Sequence, residues 1–355
     1  MRVILIMAVL PLYACTGGHK QVLERPTPDI VEMEIFYATD RDIEDESEPG
    51  QYYGGNRGAM SYGIGRVAIN TDKSFTEYAD AGYWGASEFE TGKSAQLAKV
   101  EAMTLEQFLE RISERAGTSP DKSAMVYTHG YARRFEQAAG ILASVVYKIG
   151  YLGVPVLYSW PSNGSAAAYA GDLNNVEWTV PHFRETLKQL AELNELETIH
   201  LAAHSLGNRA FLRALMQLVD DADAKDGWKF GEILLIAPDL DRDIFERDVA
   251  PVIVQSPSRV TLYVSSVDVP LRISKSVNLY PRVGDASEEP FIFHGIDTID
   301  ASNVADVTIG HSYYRESPEV LKDMYYLLVQ RRGADDRPTL EAVDTAKGRY
   351  WKIID

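Results

Sequence analysis

The stretch TIHLAAHSLGNRAFLRALMQLV, residues 198–219, decides the fold, because it joins a strand pattern to a helix pattern across a short turn. Residues 198–203 form an apolar run typical of a buried strand, and residues 205–219 carry leucines at the three-residue spacing of a helix face. Residues 203–207 read AHSLG, which differs from the nucleophile-elbow pattern G-x-S-x-G only in the first position. Ser205 is therefore either a nucleophile on a sharp strand-to-helix turn or a serine that caps the helix.

The same alternation of strand and helix patterns continues along most of the chain. Short apolar runs typical of strands lie at residues 125–130, 154–161, 198–203, 232–239 and 260–268, and residues 295–302 are a further strand candidate. Helix-like spacing covers residues 134–149, 176–195, 205–219, 242–254 and 317–332. Continuous apolar strands that alternate with helices favour parallel pairing with both sheet faces covered, joined by right-handed crossovers. We therefore predict the α/β class, with a doubly wound, mostly parallel sheet and extra N-terminal strands at 31–40 and 61–69.

The composition is that of a globular, acidic chain, which does not favour nucleic-acid binding. The protein has 355 residues, of which 45% are hydrophobic and 25% charged, enough to bury a sizeable core without disulfides or metals. Its net charge is −17, and no concentrated run of lysine and arginine occurs in the sequence. A polyanion would be repelled by this charge, so nucleic-acid binding is not expected.

The first fifteen residues, MRVILIMAVLPLYAC, are typical of a bacterial export signal. An apolar run from Val3 to Tyr13 follows Arg2, and it is too short to span a bilayer as a helix. The end of the signal, LYAC, resembles a lipobox, whose cysteine is lipidated and becomes the mature N-terminus. The alternative is a plain secretory signal in which Cys15 is incidental.

The lipobox interpretation predicts a membrane anchor. It gives a signal peptide over residues 1–14, a polar tether over 15–29, and attachment to the bacterial cell envelope through a lipid on Cys15. Thr16 after the cysteine favours the periplasmic face of the outer membrane. Cys15 is the only cysteine, so an exported chain of this sequence has no disulfide framework to build.

An elbow serine needs small neighbours two residues away on each side, because strand and helix nearly touch there. Gly207 meets this requirement, and Ala203 adds only one methyl group. With a strand pattern before it and a helix pattern after it, Ser205 is favoured as a nucleophile over a helix cap.

A serine nucleophile needs a histidine base, and in α/β-hydrolases the chain order is serine, acid, histidine. This order excludes the histidines that precede or adjoin the serine, namely His19, His129, His182, His200 and His204. His311 follows the last strand of the core and precedes the last helix, which is the slot of the base. His294 lies before that strand and is the less favoured alternative.

Three aspartates are candidates for the acid that orients the base. Asp239 and Asp241 follow the strand after the elbow, whereas Asp268 follows the next strand, where the acid usually lies. Asp268 is therefore favoured, and Asp239 is expected to cap the helix that starts near residue 242.

An oxyanion hole needs two backbone N–H donors. Leu206 follows the nucleophile and would supply one, and Tyr131 in the loop THGYARRF would supply the other. His129 and Gly130 end the first core strand, where Gly130 lets the backbone come close to the nucleophile; an ordinary glycine turn is the alternative. Trp160 either lines the pocket with His129 or packs in the core.

Seven segments occur in an order that resembles the bacterial α/β-hydrolases classed as a domain of unknown function, DUF900. They are FYATDR (36–41), VYTHGY (126–131), YSWPSNG (158–164), AHSLGNR (203–209), APDLDRDIF (237–245), LYVSSVDVPL (262–271) and GHSYY (310–314). The resemblance implies one α/β-hydrolase domain, placed here at 30–335, with residues 336–355 as a C-terminal extension packed on it. It implies the triad Ser205, Asp268 and His311. Asp40 and Arg41 would form an ion pair, either near the site or elsewhere.

The expected activity is that of a serine hydrolase that cleaves a small-molecule or lipid ester through an acyl-enzyme, without metal or cofactor. An acyltransferase would use the same site, and a non-catalytic envelope lipoprotein would use the fold for binding. A metallohydrolase is disfavoured because no histidine pair has ligand spacing. The connection 270–294 could form part of a cap, but its sequence is polar.

Overall fold

A computed structural model describes residues 29–71, 95–165, 168–220, 228–305 and 310–354 of the chain. The predicted signal peptide, the lipidation site Cys15 and nearly all of the tether lie outside these residues. In the described ranges, no helix has the length and apolar character needed to cross a bilayer.

The described residues form one sheet of eleven strands. The strands are β1 (Asp29–Ile43), β2 (Tyr53–Thr71), β3 (Ala95–Met103), β4 (Ser123–Thr128), β5 (Val154–Ser159), β6 (Thr198–His204), β7 (Phe230–Ile236), β8 (Arg259–Val264), β9 (Ile296–Asp300), β10 (Leu340–Thr345) and β11 (Gly348–Ile353). Their order across the sheet is β10-β11-β9-β8-β7-β6-β4-β5-β1-β2-β3. Pairing is parallel from β11 to β1 and antiparallel for β1–β2, β2–β3 and β10–β11. The predicted doubly wound, mostly parallel sheet with extra N-terminal strands is confirmed.

Helices cover both faces of this sheet. They are α1 (Leu105–Thr118), α2 (Phe135–Lys148), α3 (Tyr169–Trp178), α4 (Val180–Ala191), α5 (Gly207–Asp220), α6 (Arg242–Ile244, Phe245–Val249 and Ala250–Ile253 in succession), α7 (Val269–Asn278), α8 (Tyr313–Glu316) and α9 (Pro318–Leu328). Helices α1, α4, α5 and α6 bury apolar side chains in one core cluster, and α2 and α9 bury theirs in a second. With both faces covered, the central strands are buried along their whole length, as in β4 and β5.

The central strands fix where a site can form. Strand β4 lies between β5 and β6. The chain passes from β4 to β5 on one side of β4, and then from β5 to β6 on the other side of β4. The crevice at the carboxyl ends of β4 and β6 is therefore the topological switch point, where open α/β sheets bind their ligands. Ser205 follows β6 and His129 follows β4, so both lie at this crevice.

The two ends of the chain extend the sheet at its edges. Strands β1 and β2 form a long antiparallel hairpin, and β1 also pairs in parallel with β5 up to Thr39. At the other edge, β10 and β11 form a hairpin, and β11 pairs in parallel with β9. The C-terminal residues therefore continue the sheet, with Trp351 and Ile353 buried against the core.

Candidate active site

The turn at Ser205 has the geometry of an elbow and not of a helix cap. Ser205 has a φ of +52°, in the left-handed region that non-glycine residues rarely adopt, whereas a capping residue has extended backbone. Its N–H donates to the carbonyl oxygen of Ile236 at 2.9 Å. The N–H of Asn208 donates to the Ser205 backbone carbonyl, at 3.2 Å, instead of to its hydroxyl. Backbone strain of this kind is typical of functional sites.

The two small residues of the elbow pattern are under different constraints. A Cβ at Gly207 would lie 2.3 Å from the carbonyl oxygen of His129, so no larger residue fits there. Ala203 is buried within β6, paired with Thr128, and its methyl group is accommodated in the core. The alanine in the first position of the pattern is therefore compatible with the elbow.

Asn208, which the sequence analysis did not identify, stabilises the turn at Ser205 through its side-chain amide. Its side-chain amide donates to the carbonyl oxygens of Ala203 at 3.1 Å, Ser205 at 3.0 Å and Ile236 at 3.3 Å. Asn208 is fully buried, so these bonds hold the strained turn in a single conformation.

Asp268 and His311 lie side by side, 43 residues apart in sequence. Nδ1 of His311 donates to Oδ2 of Asp268 at 2.7 Å, and Oδ1 of Asp268 accepts the N–H of Leu271 at 2.9 Å as the N-cap of α7. Burial raises the pKa of Asp268, while the contact with His311 opposes that rise. With Nδ1 as donor, Nε2 of His311 is left as the proton acceptor.

His204 links this pair to the elbow. It precedes Ser205 directly, its Nε2 donates to the backbone carbonyl of His311 at 3.1 Å, and the two rings lie 4.6 Å apart. Burial holds the pKa of His204 well below its ordinary value, so this imidazole is neutral. The hydrogen bonds of the described residues include none between the Ser205 hydroxyl and His311. Catalytic hydrogen bonds are often long before substrate binds.

The other candidates for acid and base have different partners. Oδ1 of Asp239 accepts Nε of Arg282 at 2.8 Å and the Ser274 hydroxyl at 2.5 Å. The expectation that Asp239 caps the helix near 242 is wrong, because Asp241 accepts the N–H groups of the first turn of α6 and leaves Asp239 to Arg282. His294 is exposed on the connection before β9.

The loop after β4 lies directly against Ser205. A Cβ at Gly130 would lie 2.8 Å from the Cβ of Ser205, so the loop backbone approaches Ser205 closely. Neither the N–H of Leu206 nor that of Tyr131 has a hydrogen-bond acceptor within the described part of the chain. Ala132, the next residue of the loop, has a φ of +55°. Two unpaired N–H groups beside Ser205 offer the donors that an oxyanion hole requires.

Arg41 on β1 fastens this loop. The buried guanidinium donates from one NH₂ group to the carbonyl oxygen of Arg133 at 2.7 Å, and from the other to the carbonyl oxygens of Gly54 and Ser162 at 2.8 and 2.9 Å. Asp172 braces the same loop by accepting the N–H of Ala132 at 3.2 Å. Arg41 therefore lies near the site, as one of the two interpretations of FYATDR held.

Asp40 does not form the expected ion pair with Arg41. Its Oδ2 accepts from the Thr179 hydroxyl at 2.5 Å and from Nδ1 of His182 at 2.9 Å, on the side of the sheet where α4 begins. The hydrogen bond that His182 donates to Asp40 raises the pKa of His182. Asp40 and Arg41 are consecutive residues of β1, so their side chains point to opposite faces of the sheet.

His129 and Trp160 lie beneath the loop, without exposure to solvent. The rings stack 5.2 Å apart, and Nε1 of Trp160 donates to the carbonyl oxygen of His129 at 2.8 Å. Both side chains are fully buried, so neither is exposed at the protein surface. Core packing is the interpretation of Trp160 that the structure supports.

A cavity of about 1240 Å³ lies away from this site, between α2 and the edge strands, with Gln96, Glu136 and Lys148 among its lining residues. None of Ser205, Asp268 and His311 lines it. Within the described ranges, no three histidine, cysteine or acidic side chains are grouped as a metal site.

The match to a family model agrees with the fold. The family described as alpha/beta hydrolase of unknown function, DUF900, matches residues 105–332, from the start of α1 to just beyond α9. No curated protein matches the chain. A crystal structure of an uncharacterised protein from Capnocytophaga ochracea DSM 7271 is similar over 63% of this chain, with 12% identity and a TM-score of 0.31, and the match covers 61% of that protein. The chain belongs to the DUF900 family of α/β-hydrolases.

Proposed function

We propose that this protein is a serine hydrolase that cleaves a carboxylic ester through an acyl-enzyme intermediate. The observation that carries the proposal is the strained backbone of Ser205, which has a positive φ. The residue before it, His204, is hydrogen-bonded to the backbone carbonyl of His311. His311 in turn holds Asp268 through Nδ1. Family membership supports a hydrolase fold, and the ester chemistry is argued from these side chains.

In the first half of the reaction, Oγ of Ser205 attacks the ester carbonyl carbon while Nε2 of His311 takes the hydroxyl proton. Asp268 holds the resulting imidazolium in place. The carbonyl oxygen becomes an oxyanion that accepts the N–H groups of Leu206 and Tyr131. The intermediate then collapses, the bond to the alcohol oxygen breaks, and His311 passes its proton to the departing alcohol.

In the second half, water replaces the alcohol. His311 takes a proton from water, the hydroxide oxygen bonds to the acyl carbon, and the bond to Oγ of Ser205 breaks with return of the proton to the serine. The free acid leaves. An alcohol in place of water would give a transesterified product, so product analysis separates hydrolysis from acyl transfer.

A fluorophosphonate probe tests the nucleophile, because it reacts with activated serines. We expect stoichiometric labelling at Ser205 and hydrolysis of short-chain p-nitrophenyl esters, both lost in Ser205→Ala. The matched control is Ser123→Ala, which removes a buried serine hydroxyl at the start of β4, at the opposite end of that strand from the candidate site. Absence of labelling in folded wild-type protein would favour the non-catalytic binding role instead.

Attachment to the envelope is part of the proposal and rests on the sequence alone. Cys15 would carry the lipid at the end of a signal peptide. Incorporation of labelled palmitate that disappears in Cys15→Ala tests it.

A further inference from the structure

Helix α7 and the two residues after it turn apolar side chains towards solvent. Nine large apolar side chains are exposed in the described ranges, and four of them lie within eight residues. They are Ile273, Val277, Leu279 and Tyr280, with 59%, 64%, 82% and 55% exposure. We call these four side chains the α7 surface. The connection 270–294, expected to be polar, therefore presents an apolar face at its start.

Helix α7 exposes apolar side chains on the face that is polar in an ordinary surface helix. Its inward face buries Leu271 and Ser274, and the Ser274 hydroxyl donates a hydrogen bond to Asp239. Ile273 and Val277, one turn apart, face outwards. Leu279 has a φ of +67° at the position after the helix, where glycine or asparagine is usual. A strained, exposed leucine contributes nothing to the core, so a binding role explains it better than folding does.

The charge of α7 indicates what covers this surface. The helix carries Arg272 and Lys275 and no acidic residue, in a chain whose net charge is −17. Lys275 forms an ion pair with Glu288, with Nζ 2.7 Å from Oε1, and the Arg272 side chain is exposed. Apolar side chains flanked by cations are typical of helices that lie in the surface of an anionic bilayer, and a tyrosine such as Tyr280 suits the headgroup layer. Salt screens the repulsion by the rest of the acidic chain beyond about 10 Å, so the local charge of α7 governs this contact, and a second copy docked through the same surface would set like cations against each other.

The α7 surface lies beside the candidate active site. Helix α7 begins at Asp268, the proposed acid of the triad. The hydroxyl groups of Ser274 and Tyr169 are 3.3 Å apart, and the Tyr169 ring packs edge-on against Tyr131 at 5.4 Å. Tyr131 is the proposed oxyanion donor. A membrane that covers α7 would therefore lie next to the entrance of the site.

We propose that the α7 surface inserts into the headgroup layer of a bilayer that contains anionic phospholipid, and that the substrate is an ester resident in that bilayer. The substrate part of this proposal rests on the proposed function, whereas the membrane contact does not. The two parts therefore need separate measurements.

Membrane contact is tested with an environment-sensitive dye on a single cysteine, since Cys15 is the only native one. The probe chain is Cys15→Ala with Val277→Cys, and the matched control is Cys15→Ala with Leu152→Cys. Leu152 is 59% exposed and precedes β5, at the amino ends of the parallel strands, whereas α7 follows β8 at their carboxyl ends. Each labelled full chain is mixed with vesicles of phosphatidylcholine and phosphatidylglycerol, or with vesicles of phosphatidylcholine alone.

We expect a blue shift and a several-fold rise in fluorescence at position 277 with the anionic vesicles, and neither change at position 152. No change at 277, or equal changes at both positions, would overturn the membrane contact. A shift at 277 without vesicles, together with a doubled mass in light scattering, would overturn it in favour of self-association.

The substrate class is tested with the double variant Ile273→Ser and Val277→Ser. Loss of two inserted side chains should lower turnover of a long-chain ester in anionic vesicles by about tenfold, with p-nitrophenyl acetate turnover unchanged. Equal vesicle turnover in wild type and variant would overturn the inference. Retained ester turnover in Ser205→Ala would overturn the proposed function alone, because dye insertion at 277 does not depend on Ser205.

Discussion

At the scale of single residues, each carboxylate oxygen of Asp268 accepts a hydrogen bond from a different partner. Oδ1 accepts the N–H of Leu271 and caps α7, while Oδ2 accepts from Nδ1 of His311. The carboxylate cannot rotate without losing one of these bonds, so the helix cap fixes the direction from which His311 is held. Asp239, close by, is unsuited to this role because Arg282 occupies it.

Asp268→Asn separates the two tasks. Asparagine caps a helix as well as aspartate does, so α7 and the stability of the fold should be retained. The amide N–H would face Nδ1 of His311 and stabilise the wrong imidazole tautomer, so we expect kcat for a soluble ester to fall by about 10³ to 10⁴. Steady-state kinetics and a thermal unfolding curve measure both effects.

The matched control is Asp241→Asn, which makes the same substitution at another N-cap. Oδ1 of Asp241 accepts the N–H groups of Asp243 and Ile244 at 3.0 Å, away from the triad. We expect wild-type kcat in this variant. Equal kcat in the two variants would remove Asp268 from the proposed mechanism.

At the scale of elements, strand β1 holds the loop that approaches Ser205. Arg41 ties the loop carbonyl of Arg133 to carbonyls of Gly54 and Ser162, and its Nε donates to the Ser159 hydroxyl at 2.9 Å. Burial lowers the pKa of Arg41 to about 10, and nearby carboxylates counter that effect. The β1–β2 hairpin, which lies outside the matched family region, thus contributes to the candidate site.

Arg41→Lys tests this contribution. A lysine ammonium cannot reproduce the planar fork of donors, so the loop should lose its bond at Arg133 and Tyr131 should shift. We expect kcat to fall by about tenfold to a hundredfold with less change in KM, because misplacement of a transition-state donor acts on kcat. The control is Arg57→Lys on β2, whose exposed side chain donates to Asn175. Full kcat combined with lower stability would make Arg41 structural only.

The elements that the sequence predicted are those with a one-dimensional pattern. Strands β4 to β8 lie in short apolar runs, so their existence and the position of Ser205 at the end of β6 could be predicted, whereas β9 reads IDTID and has no such run. The order of serine, acid and histidine then selected Asp268 and His311, which the fold brings together. Pro181 stands in the first turn of α4, where a proline is compatible with the start of a helix.

Elements without such a pattern were missed. Strand β3 is an edge strand in which Leu97 alone is buried, so its sequence carries almost no strand signal. Helix α7 was not predicted because its exposed face is apolar and its buried face includes Ser274. The role of Arg41 depends on backbone carbonyls from separate segments, and carbonyls leave no trace in a sequence.

At the scale of the whole molecule, buried histidines make the fold sensitive to acid. Burial holds the pKa of His129 and His204 well below the ordinary value and lowers that of His200 to about 4. Each is therefore neutral in the folded protein at a pH where the unfolded chain already binds a proton. His182 acts in the opposite direction, because Asp40 raises its pKa and so favours its protonated form.

His200→Gln isolates one of these contributions. Nδ1 of His200 accepts the N–H of Glu232 at 3.2 Å, far from the candidate site, and glutamine keeps an acceptor there. The folded pKa of about 4 lies below the unfolded value of 6.5, so this histidine withdraws stability as pH falls between those values. The loss amounts to roughly 1.4 kcal/mol per pH unit at most.

We expect wild type to lose about 1 to 2 kcal/mol more than the variant between pH 7 and pH 5 in urea unfolding. Equal losses in the two proteins would mean that His200 is not buried in its neutral form.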